Sequence, residues 1–265
     1  MRKKLMGLIG ASVLSVSVIF PLSGEAALGD RTLSQGMSHS DVKELQEHLL
    51  TKSVYPYFEE TGYYGPITKE AVKDFQENSR IQVDGIAGPQ TNQKIKVLRY
   101  GDMGKPVIKL QRLLKEWGAY TGIVDGMYGN GTKSAVANFQ QQKGLKSDGI
   151  AGPQTFSKLN QKSSSVSGTV KELTVTSTAY TASCDGCSGV TKMGVDLKKY
   201  PEAKVIAVDP NVIPIGSTVE VEGYGKAIAA DIGGAITGSK IDVFIAGQNS
   251  AINWGRKTVN IKVYQ

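Results

Sequence analysis

Three stretches decide how the C-terminal part of the chain folds: Val205-Ile206-Ala207-Val208-Asp209-Pro210, Ala227-Ile228-Ala229-Ala230-Asp231-Ile232-Gly233-Gly234-Ala235-Ile236 and Ile241-Asp242-Val243-Phe244-Ile245. Short apolar runs rich in β-branched residues and bounded by Gly and Pro read as buried strands. Each run also carries one aspartate. A carboxylate on or beside a buried strand is costly unless it is paired, hydrogen-bonded or protonated. Clustered carboxylates that push one another's pKa apart are a common way to build a general acid. Outward from these runs the alternation continues. Leu173, Val175 and Ser177 face one way, and so do Val259, Ile261 and Val263. Many short strands with turn signals predict an all-β barrel or sandwich over residues 170–265.

Upstream, the small-polar stretch 161–169, including Ser163-Ser164-Ser165, reads as a linker. Before it the period is helical and the chain repeats itself. Leu45-Gln46 recurs as Leu110-Gln111, and Phe75-Gln76 as Phe139-Gln140. The octet Asp84-Gly85-Ile86-Ala87-Gly88-Pro89-Gln90-Thr91 recurs intact from Asp148 to Thr155. Two homologous modules are therefore expected, at residues 34–98 and 99–160.

Each module reads as short helices around a small core. Val42, Leu45 and Leu49 form an apolar stripe, as do Val107, Leu110 and Leu114, with Pro106 in an opening turn. Thr68 and Thr132 are expected to cap the next helix. Its inner face is Ala71, Val72 and Phe75 in one copy, and Ala135, Val136 and Phe139 in the other. Asp84-Gly85 and Asp148-Gly149 mark turns, and Pro89 and Pro153 start the last helix. The octet's Gly and Pro residues serve that turn and helix start. Tyr63, Tyr64 and Tyr128, beside these turns, are candidates for a sugar or peptide platform or else for packing.

The motif order from leucine-glutamine to Asp-Gly-x-x-Gly-Pro-x-Thr resembles peptidoglycan-binding domains of the three-helix type, in both copies. The C-terminal part resembles the 3D domain, a bacterial cell-wall module named for its three aspartates. The residues that carry this likeness are Ser177 to Thr181, Val208-Asp209-Pro210, Ile213 to Ser217, Ala230-Asp231-Ile232-Gly233-Gly234-Ala235-Ile236 with Gly238, and Ile241-Asp242-Val243. The family usually has Thr where this chain has Ile232, which leaves every carboxylate in place. The resemblance implies a double-psi β-barrel, so the expected layout is two small all-α domains followed by an all-β barrel.

The ends and composition set bounds. Met1-Arg2-Lys3-Lys4, an apolar stretch from Leu5 to Leu22 and the small-residue site Gly24-Glu25-Ala26-Ala27 read as a secretory signal over residues 1–26. The protein is therefore expected outside the cell, associated with the wall, and not inserted in a membrane. The formal charge of +7 over 265 residues falls to +5 without the signal, because that segment holds three basic residues and Glu25. A modest positive excess suits an envelope of anionic polymers. No basic helix with base-reading residues argues for nucleic acid. Cys184-Asp185-Gly186-Cys187 forms either a short-loop disulfide or a pair of free thiols. The only histidines, His39 and His48, lie outside the C-terminal part. A metal site and a zinc-dependent amidase are thus disfavoured, and no cofactor is expected. A monomer that binds peptidoglycan glycan strands and stem peptides is the expected state.

The 3D domain is similar to the catalytic barrel of a class of lytic transglycosylases, and that likeness implies the chemistry. Ordinary glycosidases use two carboxylates, one as acid and one to activate water or attack the sugar. Here the C6 hydroxyl of the N-acetylmuramic acid would be the nucleophile, so one carboxyl serves as acid and then base. Asp242, inside an apolar strand, is the expected acid/base, and the likeness points to the same residue. Asp209 and Asp231 are expected to tune its proton and position substrate. Tyr180 and Thr181 would hydrogen-bond sugar hydroxyls, and Gly233, Gly234 and Gly238 would admit a glycan close to the backbone or simply form a turn. A water-using muramidase and a non-catalytic wall-binding protein are the alternatives.

Overall fold

The computed structural model describes residues 28–29, 31–55, 60–162, 170–183 and 188–264. The expected signal segment, most of the linker and the Cys184/Cys187 pair lie outside the described residues. No helix among the described residues is long and apolar enough to cross a membrane.

Each repeat is three helices: α1 (Ser40–Thr51), α2 (Pro66–Asn78) and α3 (Pro89–Ile95), then α4 (Lys105–Glu116), α5 (Asn130–Gln142) and α6 (Pro153–Leu159). The expected stripes are buried, with Val42, Leu45, Leu49, Val107, Leu110 and Leu114 all at 0 % exposure. Pro at the first turn begins α2, α3, α4 and α6, where its missing N–H costs nothing. The expected Thr caps are corrected: Gly65 and Gly129 precede α2 and α5, and Thr68 and Thr132 sit one turn inside, buried. Their hydroxyls accept from Gln46 Nε2 and Gln111 Nε2, each at 3.0 Å.

A second glutamine explains the repeated octet. Gln76 Nε2 donates to Asp84 Oδ1 (2.8 Å), the Ile86 carbonyl (2.9 Å) and Thr91 Oγ1 (3.1 Å), while its Oε1 accepts from the Asp84 and Gly85 N–H groups. Gln140 repeats the clamp on Asp148, Ile150, Thr155 and Gly149. Gly85 and Gly149 take φ of +69° and +67°, the left-handed region that Gly enters freely. Tyr64 and Tyr128 are core residues at 0 % and 1 % exposure, their hydroxyls on the Gly85 and Gly149 carbonyls. They form no platform, because the glycine turn folds back over their rings. Tyr63 is half exposed.

The C-terminal part is a closed barrel of six strands: β1 (Val170–Tyr180), β2 (Val205–Val208), β3 (Thr218–Val221), β4 (Gly225–Asp231), β5 (Lys240–Phe244) and β6 (Lys257–Tyr264), in the order β1-β5-β2-β4-β3-β6. The pairs β1/β5 and β2/β4 are parallel and the rest antiparallel. Val175, Ser177, Val259, Ile261 and Val263 point inward as the alternation predicts. Helix α7 (Gln248–Trp254) leans on β1.

The repeats pack on the barrel. Residues of the first repeat and of the barrel share one hydrophobic core, with Met103 and Met193 among those at hand. The Ile215 N–H donates to the Asp125 carbonyl at 3.0 Å. Between the repeats, Lys52 and Asp102 form an ion pair at 2.6 Å with both side chains 11 % exposed, and Lys105 meets Glu60 and Glu47.

Candidate active site

Register places two of the three aspartates together. Thr178 on β1 stands opposite Asp242 on β5, Asp242 opposite Ala207 on β2, and Ala207 opposite Asp231 on β4. These four residues form one row across four neighbouring strands. Strands lie about 4.8 Å apart, so Asp242 and Asp231, two strands distant, have backbones roughly 10 Å apart. Ala207 between them is small and leaves the space over the row open.

The alignment depends on an irregularity. Val205 pairs with Ile228 and Ile206 with Ala229, and then a bulge lets Ala207 pair with Asp231 rather than Ala230. A one-residue slip turns a side chain to the opposite face of a sheet. The bulge therefore brings Asp231 to the face that already carries Asp242. Asp242 also escapes the core by alternation, since its neighbours Ile241 and Val243 are fully buried and it is half-buried. The reading of β5 as a wholly buried strand is corrected on this point.

Asp242, Asp231 and Ala207 line a cavity of about 610 Å³. Tyr180, Thr181 and Gly233 line it too, with Val190 on one side and Gln248 and Ile252 of α7 on the other. Val190 and Ile252 are exposed at the rim, 47 % and 65 %.

The carboxyls differ in their partners. Burial raises the pKa of Asp242, opposed by the Thr178 hydroxyl that donates to Oδ1 at 2.8 Å, and the charge of Asp231 raises it again. Burial also raises Asp231, but the Ile232 and Lys192 N–H groups donate to its Oδ1 at 2.9 and 3.0 Å and the Lys192 charge lowers it. Two N–H donors favour the ionised form. The ionised form is thus the better supported of the two at Asp231, where two N–H groups and Lys192 favour it, and the less supported at Asp242, where only the Thr178 hydroxyl does. The buried Tyr180 hydroxyl is raised by burial and then by nearby charges, that of Asp231 first; it lies against the Asp231 carboxyl, whose pKa it lowers, without a hydrogen bond of good geometry.

Asp209 stands apart and does not act on Asp242, contrary to expectation. Its Oδ2 accepts the Gly238 N–H at 2.7 Å and its Oδ1 accepts from the backbone and side chain of Asn211, both at 2.9 Å. These bonds hold its pKa below the usual carboxylate range. It closes the turn after β2 and ties it to the loop before β5. Gly238, with φ of +65°, and the exposed Gly234 do not line the cavity, and the Gly233 carbonyl closes a turn with the Ile236 N–H. Thr178 and Ala207 were not singled out for roles at the site, and the pairing of strands is what finds them.

Comparison with known proteins agrees with this architecture. Residues 38–95 and 103–159 match the family described as "Putative peptidoglycan binding domain", and residues 204–265 match the 3D domain. The chain is 69 % identical over 93 residues to "Cell wall-binding protein YocH" of Bacillus subtilis, covering 35 % of this chain and 32 % of that protein. It is 68 % identical over 95 residues to "Putative cell wall shaping protein YabE" of the same organism, 36 % of this chain and 23 % of that one. A third relative, "Probable N-acetylmuramoyl-L-alanine amidase" of Bacillus licheniformis, is 31 % identical over 186 residues, 60 % of this chain and 52 % of the relative. The chain thus spans a third of the first relative's length and about a quarter of the second's. Its two helical repeats match the peptidoglycan-binding model and its barrel matches the 3D domain model from residue 204 onward.

Proposed function

We propose that the protein remodels the bacterial wall: the two repeats bind peptidoglycan and the barrel cleaves the bond between N-acetylmuramic acid and N-acetylglucosamine without water. The observation that carries the reading is the pair of raised carboxyls, Asp242 and Asp231, facing one open cavity. Asp242, protonated, donates to the glycosidic oxygen as the bond to the muramyl C1 breaks. The muramyl C6 hydroxyl then attacks C1, and the Asp242 carboxylate takes its proton as the 1,6-anhydro ring closes. Asp231 stays ionised and stabilises the positive charge that develops on the sugar ring. Tyr180 and Thr181 hold sugar hydroxyls. The names of the relatives support a wall-directed role, and export through residues 1–26 would deliver the protein there.

The second reading, a water-using muramidase, is favoured by one feature. Asp231 and Asp242 line one cavity from strands two apart, with backbones roughly 10 Å apart, which leaves room for the water that inverting glycosidases hold between their carboxyls. Mass spectrometry of purified peptidoglycan digested with the protein separates the two. We expect 1,6-anhydromuramyl ends, lighter by one water than hydrolytic ends. Reducing ends would assign Asp231 as a water base, and an undigested wall would leave the barrel without this activity.

A further inference from the structure

The two repeats enclose a second cavity, of about 720 Å³, that neither forms alone. Helices α1 and α3 of the first repeat make one wall, and their counterparts α4 and α6 make the other. The shared stripe sets α1 and α4 in register 65 positions apart, and this identifies where the copies differ. His48 stands where the second repeat has Leu113, and Asp41 where it has Pro106. Both departures introduce a polar side chain at a buried position, and both line the cavity.

Neither group's buried acceptor atoms have a hydrogen-bond donor among the described residues, although Arg31 forms a long ion pair with Asp41. His48 is 7 % exposed; its ring is bonded to the Ile95 backbone, and Nδ1 has no hydrogen-bond partner. Asp41 is 1 % exposed and neither carboxylate oxygen accepts a hydrogen bond. Arg31 is 3.9 Å from Oδ2, and His39 Nδ1, 3.1 Å from Oδ1, already accepts the Asp41 N–H. Buried acceptors are ordinarily paired, so two on one wall call for a donor from outside. The lining also carries cations. Lys43 and Lys109 are exposed and make no ion pair among the described residues, whereas Lys105 is taken by Glu47 and Glu60. Burial and the charges of Lys52, Lys96 and Lys109 keep His48 neutral, with a pKa lowered to about 3, so Nδ1 is an acceptor.

We propose that this cavity binds a peptide end carrying both an ammonium and a carboxylate, with Asp41 and His48 Nδ1 accepting from the ammonium and Lys43 and Lys109 holding the carboxylate. A lining of mixed sign selects a zwitterion over a plain anion, which Asp41 would repel. Free stem peptides of the wall have this chemistry, and only that choice of probe rests on the proposed wall-directed role.

Calorimetric titration of the full chain with the tripeptide L-alanyl-γ-D-glutamyl-L-lysine tests the site. We expect saturable binding, lost when every amine of the same peptide is acetylated and every carboxylate amidated. Lys109→Gln and His48→Leu should each weaken it on the order of tenfold, the loss of one charge-assisted hydrogen bond. His48→Leu restores the residue found in the other repeat, so it should fold. Absence of binding, equal binding of the capped peptide, or competition by inorganic phosphate at equal affinity would each overturn the proposal, as would unchanged affinity in both variants. Failure of the barrel to cleave peptidoglycan would sink the enzymatic reading and leave this titration untouched.

Discussion

Asp242 illustrates how a working carboxyl costs a fold some stability. Its folded pKa lies above the unfolded value, so its favourable contribution is complete below about pH 4 and is lost as pH rises through the folded pKa. At neutral pH the group is a burden on the barrel. Asp242→Asn keeps an acceptor for the Thr178 hydroxyl but cannot deliver a proton. It should lower cleavage by roughly 10²–10⁴-fold or more and raise barrel stability at pH 7 by up to ~1 kcal/mol after solvent screening is discounted. That gain should vanish at acid pH, where the wild-type carboxyl is protonated as well. A folded Asp242→Asn with full activity would remove the acid assignment. Activity of the wild type should fall as pH rises through the raised pKa of Asp242, and a rate that instead climbs steadily with pH would contradict a carboxylic acid donor. Tyr180→Phe separates function from stability in another way. The buried hydroxyl makes no hydrogen bond of good geometry and only lies against the Asp231 carboxyl, so its loss should change the melting temperature little. Cleavage should nevertheless drop if the hydroxyl holds substrate, and unchanged kinetics would exclude it from the site.

At the scale of elements, the glutamine clamps make the helix-turn units of the repeats. Gln76 satisfies five groups and Gln140 four around an Asp-Gly turn, each from the end of one helix. Gln76→Ala leaves the buried Gly85 N–H without an acceptor and should destabilise the first repeat by ~3 kcal/mol. Gln140→Ala should do the same in the second. Chemical denaturation of each variant checks this, and a change under ~1 kcal/mol would mean that water replaces the side chain at little cost. The strands carry the corresponding lesson for the site. β2 contributes no acid or base to the row, yet its bulge decides which face Asp231 takes.

Across the whole molecule, the three domains meet at backbone distance. Gly216 of the barrel, with φ of +89°, lies so close to the second repeat that an added Cβ would stand 2.4 Å from the Gly104 Cα. A Cβ added at Gly104 would stand 3.2 Å from Met193 Cε, next to the Lys192 amide that holds Asp231. One added at Gly194, on the same loop, would stand 3.1 Å from Ser53 Cβ of the first repeat. The repeats therefore buttress a loop of the candidate site. Gly216→Ala should cost about 1–3 kcal/mol through strain and contact. It should also loosen the docking, so that small-angle scattering reports a larger particle. A destabilised variant with unchanged dimensions would confine the effect to the turn and refute the docking role of Gly216.

The chain's local patterns carried much of this protein before any fold was known. Spacing of three and four residues announced the buried stripes of α1 and α4, alternation announced β1 and β6, and the repeated octet announced two copies of one module. Those signals are local, because helix and strand periods are properties of neighbouring residues. Glycine turns were legible for the same reason, since only Gly enters positive φ without strain. The rest depended on partners distant in the chain. No local signal separates Asp209, spent on Gly238 and Asn211, from Asp231 and Asp242, because each follows or interrupts a similar apolar run. Tyr64 and Tyr63 are adjacent in sequence, yet one is core and the other surface. The meeting of Asp242 with Asp231 across Ala207, and of His48 with the second repeat, was decided by strand register, one bulge and domain packing. These are set by which faces the whole chain can bury together, and no window of sequence contains that information.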